Sequence, residues 1–172
     1  IFSFYATKLM TSGGQGGMFV SKDKNLVDKV RDYRQFDYRR DQKERFNFQM
    51  TDIQASIGRA QLRQLPYFIE RRREIFTMYK ESGLNLIESQ NNSSVHYRAV
   101  IRVNSPLKVK NKLAKQGIQS IIPIEDWELL GDGSNFKNAY NLTQTTLSLP
   151  IYPSLANNEV LNIINQLSKA IK

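Results

Sequence analysis

From Thr51 onward, apolar residues return every three or four positions: Ile53, Ile57, Ala60, Leu62 and Leu65. That spacing lines one face of a helix. Thr51 and Gln54 set a capping-box pattern at its start. Pro66 removes a backbone donor, so a kink or restart is expected there. A second helix then carries Phe68, Ile69, Ile75, Phe76 and Tyr79 as far as Gly83. The triple Arg71-Arg72-Arg73 inside it reads as an exposed side. Upstream, Leu26, Val27 and Val30 mark a helix over Asp23 to Arg34 with Asp23 as N-cap.

The character changes after Gly83. Gln90 to Ser94 reads as a polar linker, and the β-branched and aromatic run Val95 to Val103 as a strand. A helix over Pro106 to Gln116 is ended by Gly117, and a strand follows at Ile118 to Ile124. Asp132 to Ser134 marks a turn, Asn135 to Leu142 a short helix and Thr145 to Leu149 a strand. Pro150 and Pro153 bracket a bend. Asn157 or Asn158 can cap a last helix with Val160, Ile163, Ile164 and Leu167 facing inward. Alternating strands and helices predict a small α/β domain over residues 85–172. Residues 1–84 hold two short strands (Phe2 to Tyr5, Gly17 to Ser21), the helices and one long loop. That loop, Tyr33 to Phe48, is aperiodic and carries Phe36, Tyr38, Phe46 and Phe48, so it is expected to pack against something.

Composition narrows the functional classes. With 172 residues, 40% hydrophobic and 24% charged, the chain reads as a soluble globular protein. No apolar run approaches the ~18 residues of a membrane span. The apolar Ile1 to Tyr5 lacks the basic leader of a signal peptide. Zero cysteines remove disulfides, thiolate metal sites and a cysteine nucleophile, and cytoplasmic residence is the simplest reading. The single histidine, His96, lies among strand residues, which favours a structural role over a catalytic one and leaves no multi-His metal site. A net charge of +9 raises the case for an anionic partner. Arg31 to Arg45, however, interleaves Asp32, Asp37, Asp41 and Glu44 with its basic residues, the pattern of a salt-bridged solvated face. A nucleic-acid groove is the minor alternative.

One lysine stands out chemically. Ser3-Phe4-Tyr5-Ala6-Thr7-Lys8 runs into Gly13, Gly14, Gly16 and Gly17, then Met18-Phe19-Val20. Glycines let a backbone approach a ligand closely, and a lysine amine can form a Schiff base with an aldehyde cofactor. Taken alone, Lys8 reads as an exposed strand-end lysine, and Asn47 as a turn or cap residue. Together with two further blocks, the segment resembles the DegT/StrS sugar aminotransferases. The second block is Phe46-Asn47-Phe48-Gln49-Met50-Thr51-Asp52-Ile53-Gln54-Ala55 with Gly58 and Ala60-Gln61-Leu62, and the third is Leu149-Pro150-x-x-Pro153-x-Leu155 with Glu159-Val160. The three span the chain in the family's order.

The resemblance implies an α/β fold: the carboxyl-terminal part of a fold-type-I, aspartate-aminotransferase-like enzyme. Residues 1–84 would be the end of the large cofactor-binding domain with linking helices, and residues 85–172 the small domain. It implies pyridoxal 5'-phosphate as cofactor and a nucleotide-linked keto sugar as substrate, with glutamate as amino donor. Lys8 would be the Schiff-base lysine and proton shuttle, Ser3 a phosphate ligand, and Asn47 a phosphate ligand in the neighbouring subunit's site. That last role implies a homodimer with shared active sites. Gln15 stands where the family carries Glu, Gln49 where it carries Arg, Gly14 lengthens the turn, and Ile122 to Leu130 lack the family's histidine. These departures fall on substrate contacts. The family's pyridine-protonating Asp and ring-stacking aromatic lie upstream of the lysine segment, so the chain alone is expected not to run the full reaction. The alternatives are a catalytically inactive interaction module and a basic nucleic-acid-binding domain.

Overall fold

A computed structural model describes residues 1–88 and 94–171 of the chain. They form two compact units, Ile1–Pro66 and Tyr67–Lys172.

In the first unit, β1 (Phe2–Ser3) pairs antiparallel with β2 (Gly17–Met18), Phe2 opposite Met18 and Ser3 opposite Gly17. Both expected strands are present but trimmed to two residues, with Tyr5 adding one bridge to Gly14. Helix α1 (Lys24–Tyr33) starts where Asp23 Oδ1 accepts from the Asn25 and Leu26 amides at 2.9 and 3.3 Å, the expected cap. The stretch after it is a loop laid back along the helix end. Its Phe46 and Phe48 amides donate to the Tyr33 and Arg34 carbonyls at 2.9 and 3.3 Å. The rings of Tyr33, Phe46 and Phe48 cluster, Phe46 stacking on Phe48 with centroids 5.2 Å apart. Phe36 and Tyr38 stay exposed, so only part of the expected aromatic packing forms. The interleaved charges do pair: the Arg45 guanidinium reaches Asp32 at 3.0 Å and also Asp41.

Helix α2 (Asp52–Glu81) begins with the expected reciprocal cap. The Thr51 amide donates to Gln54 Oε1 at 3.0 Å and the Gln54 amide to Thr51 Oγ1 at 3.3 Å. It then runs unbroken through Pro66, contrary to the expectation of two helices. Proline forfeits the hydrogen bond to the Leu62 carbonyl, at a cost of about 3 kcal/mol. Burial of Ile75, Phe76 and Tyr79 further along, at about 1.5–3 kcal/mol per large apolar side chain, outweighs it.

Those three side chains also explain where the units divide. They belong to a core that starts within α2, so the second compact unit begins at Tyr67. Its sheet pairs β3 (Ala99–Arg102) with β4 (Thr146–Leu149), antiparallel, Ala99 opposite Leu149. Leu86 bridges to Ile101 and Ile121 to Ser148. Helices α3 (Pro106–Ala114) and α5 (Asn157–Ile171) pack together, and α4 (Lys137–Thr145) leads directly into β4. Leu113, Leu147, Val160 and Leu167 are fully buried.

Several expected elements shrink or move. The strand expected from Val95 starts only at Ala99, because His96 adopts a left-handed φ of 45°. Its ring stacks on Phe76 at 3.9 Å between centroids. Ile118 to Ile124 makes a single bridge rather than a strand. At the start of helix α5, Asn158 Oδ1 accepts from the Glu159 amide at 3.0 Å, and the Glu159 carboxylate accepts from the Ala156 amide at 2.8 Å. Gly117, at φ 75°, ends α3 as expected. Most of the expected linker at Gln90 to Ser94 lies outside the described residues.

The arginine triple corrects its reading as an exposed side. Arg72 is buried, donating to the carbonyls of Ile151 (2.8 Å), Tyr97 (3.2 Å) and His96 (3.4 Å). Arg71 donates to the Leu155 carbonyl at 2.6 Å and to Asn157 Oδ1 at 2.7 Å. Only Arg73, paired with Glu70 at 3.4 Å, is substantially exposed. Successive helix positions point about 100° apart, so three adjacent arginines cannot share one face.

Candidate active site

The segment around Lys8 is a closed loop rather than a strand end. Phe4 anchors it with both its peptide groups: its amide donates to the Gly16 carbonyl at 2.8 Å and its carbonyl accepts from the Ser12 amide at 3.0 Å. Within the loop, the Lys8 amide donates to the Tyr5 carbonyl at 2.9 Å, while the Tyr5 amide donates to Ser3 Oγ at 3.4 Å. Ser3 and Lys8 therefore hold opposite peptide groups of one residue. Both are exposed, and the Lys8 amine has no ion pair among the described residues.

The glycines fit the turn by backbone and by space. Gly13 has φ 80° and Gly14 φ 147°, both unfavourable for other residues. A Cβ on Gly17 would lie 2.8 Å from the Phe2 carbonyl oxygen, blocking the β1–β2 approach. A Cβ on Gly16 would strike the Ser12 side chain and approach Met50 Cε to 2.9 Å. The Gln15 carbonyl accepts from Gln54 Nε2 at 3.1 Å, so the first turn of α2 is tied to the glycine turn.

Asn47 stands on the other loop of this unit, exposed, between Phe46 and Phe48 in sequence, whose rings stack on each other. Among the described residues no hydrogen bond joins it to Ser3 or Lys8. Nearby in sequence, the Arg45 guanidinium holds the Asp41 carboxyl down at about 2. In the second unit, burial pushes the His96 imidazole below its ordinary value, and Arg73 adds to this against Glu88. A neutral imidazole stacked on Phe76 matches the structural role expected of it.

Ser12 escaped the sequence reading. It is fully buried, the one buried polar side chain of its unit among the described residues. Its only signal was a small hydroxyl residue wedged between the lysine turn and the glycines. Gln54 was legible as a cap, but not as a donor to Gln15.

The donor set suits a phosphorylated aldehyde. Lys8 offers an accessible primary amine, and among the described residues no partner takes the Ser3 hydroxyl proton or the Asn47 side-chain amide. A metal centre has no such basis: among the described residues no three His, Cys, Asp or Glu side chains converge. Likewise no helix among them is long and apolar enough to cross a membrane.

Known proteins agree with this architecture. GDP-perosamine synthase of Escherichia coli O157:H7 is 29% identical over 98% of this chain and 50% of its own length. The dTDP-4-dehydro-2,3,6-trideoxy-D-glucose 4-aminotransferase of Saccharopolyspora spinosa is 26% identical over 99% of this chain and 52% of its own. The crystal structure of DesV from S. venezuelae superposes with a TM-score of 0.86 at 22% identity, covering 99% of this chain and 51% of that one. The expected α/β aminotransferase fold is therefore present, and the chain spans about half the length of the curated relatives it matches. The family model for the DegT/DnrJ/EryC1/StrS aminotransferases matches residues 1–168, and the chain is a member of that family.

Proposed function

We propose that this chain is the carboxyl-terminal part of a pyridoxal-phosphate-dependent aminotransferase acting on nucleotide-linked keto sugars, with glutamate as amino donor. The observation that carries the reading is the Lys8 loop: an accessible amine on a hydrogen-bonded turn, with Ser3 bound to the same residue, Tyr5. Relatives named for GDP-, dTDP- and UDP-linked sugars support the substrate class. Residues 1–84 end the cofactor domain and residues 85–172 form the small domain.

When bound, pyridoxal phosphate supplies an electron sink for the carbanion of amino transfer. Lys8 Nζ would hold the group covalently and would carry the proton to and from the reacting carbon. A flexible four-carbon stem on a fixed turn suits both tasks. The Ser3 hydroxyl would donate to a phosphate oxygen. Asn47 Nδ2 would donate to the phosphate of a partner subunit's site, in a homodimer with shared active sites; the enzyme would work in the cytoplasm.

Borohydride reduction of the cofactor-loaded enzyme, followed by peptide mass mapping, tests the reading. The adduct is expected on Lys8. An adduct on any other lysine, or none, overturns the assignment.

A further inference from the structure

Ser12 closes the loop that carries Lys8. Its amide donates to the Phe4 carbonyl at 3.0 Å, and its hydroxyl donates to the Gln15 carbonyl at 3.0 Å with the Phe4 carbonyl also in range at 3.3 Å. Phe4 follows β1 and Gln15 precedes β2, so one small side chain spans the two ends of the lysine turn. The hydroxyl has no access to water. Its surroundings are shaped to it, since Gly16 leaves the space that any Cβ would take from the Ser12 side chain. The Gln15 carbonyl is shared with Gln54 Nε2 at 3.1 Å, which extends the tie to the capped start of α2.

We infer that Ser12 is a positioning residue for Lys8: its hydroxyl fixes the base of the turn, and thereby where the Lys8 amine is presented to the cofactor. A surface turn without such a pin would let the lysine stem and its backbone wander together. Without the hydroxyl, the Phe4 carbonyl keeps only the Ser12 amide and the Gln15 carbonyl only Gln54 Nε2, so the side-chain tie between the two ends is lost and the turn answers by opening. The inference rests on the reading of Lys8 as the cofactor lysine. The mechanical part, closure of residues 5–11 by Ser12, stands without it.

The test uses Ser12→Ala, with Ser12→Thr as the variant that keeps a hydroxyl. In the chain without cofactor, amide exchange across residues 5–11 is expected to quicken about tenfold in Ser12→Ala, as the loss of roughly 1.4 kcal/mol of closure implies. Exchange in α3 and α5 stays unchanged. In the cofactor-loaded enzyme, cofactor affinity is expected to fall about fivefold to tenfold. The pH midpoint of the visible band moves with it, and Ser12→Thr recovers both in part. Unchanged exchange over 5–11 in Ser12→Ala overturns the closure. So does faster exchange in α3 and α5 together with the loop, which is general unfolding. Faster loop exchange with unaltered affinity and band midpoint overturns the positioning role. A visible band that survives Lys8→Ala instead defeats the reading of Lys8 and leaves the exchange result to judge the closure by Ser12 by itself.

Discussion

Tyr79 donates its phenolic proton to the Pro150 carbonyl at 2.8 Å, across 71 residues of sequence and from a position with no solvent exposure. Burial pushes the phenol well above its ordinary value, so it stays a donor throughout the physiological range. Proline 150 follows β4, and the bond ties the end of that strand to α2. Tyr79→Phe keeps the ring and removes the donor, so it is expected to cost about 1–2 kcal/mol with the secondary structure intact. Chemical denaturation of the chain measures this, and a difference below about 0.3 kcal/mol would show the carbonyl to be otherwise satisfied.

Arg72 makes a sharper contrast with its neighbour. Its guanidinium serves three carbonyls and, among the described residues, has no carboxylate partner, so burial lowers its pKa. Replacing a buried charge by an apolar group can be neutral, but here the carbonyls of Ile151 and Tyr97 would lose their donor. Arg72→Met is therefore expected to destabilise by about 2–4 kcal/mol, and the exposed Arg73→Ala by less than about 0.5 kcal/mol. Equal effects of the two in denaturant titrations would contradict the burial argument.

The loop after α1 is expected to loosen in acid. Asp41 titrates near 2 rather than its ordinary 3.8 because Arg45 and the Lys43 amide bind its charged form. A depressed carboxyl contributes order that is complete above the unfolded value of 3.8 and is lost as pH falls towards about 2. Ring-proton shifts of Phe46 and Phe48 should follow that window, and Asp41→Asn should abolish the transition. A flat response in the wild type would disconnect Asp41 from the loop.

Asn47→Ala is expected to weaken cofactor retention in the assembled enzyme by roughly 1.5–3 kcal/mol, the value of a hydrogen bond to a charged group. Equilibrium dialysis against pyridoxal phosphate reads the change. Undiminished affinity in a folded dimer would argue against the cross-subunit role.

Local signals carried well into the structure. Asp23, Thr51, Gln54 and Gly117 act within three or four residues of themselves, and each caps or ends its helix where the sequence places it. What stayed hidden depends on distant partners. Nothing local tells that Arg72 meets Ile151, that His96 turns left-handed to lie on Phe76, or that α2 survives Pro66 because its far end is buried. Lys8 and Ser3 were singled out by the resemblance of their segment to a known family. Ser12 was not, because a serine beside glycines reads as ordinary turn chemistry until its burial is seen.

All the fully buried apolar side chains among the described residues lie beyond Pro66, while the lysine turn is closed by hydrogen bonds among Phe4, Ser12, Gln15 and Gly16. A melting curve of this chain therefore reports the small domain and is nearly blind to the site. Substitutions in residues 1–66 can erode or retune ligand handling with little thermal penalty, while those after it change abundance before they change chemistry. Screens that select for heat resistance would sample the wrong half of the molecule for anyone seeking altered specificity.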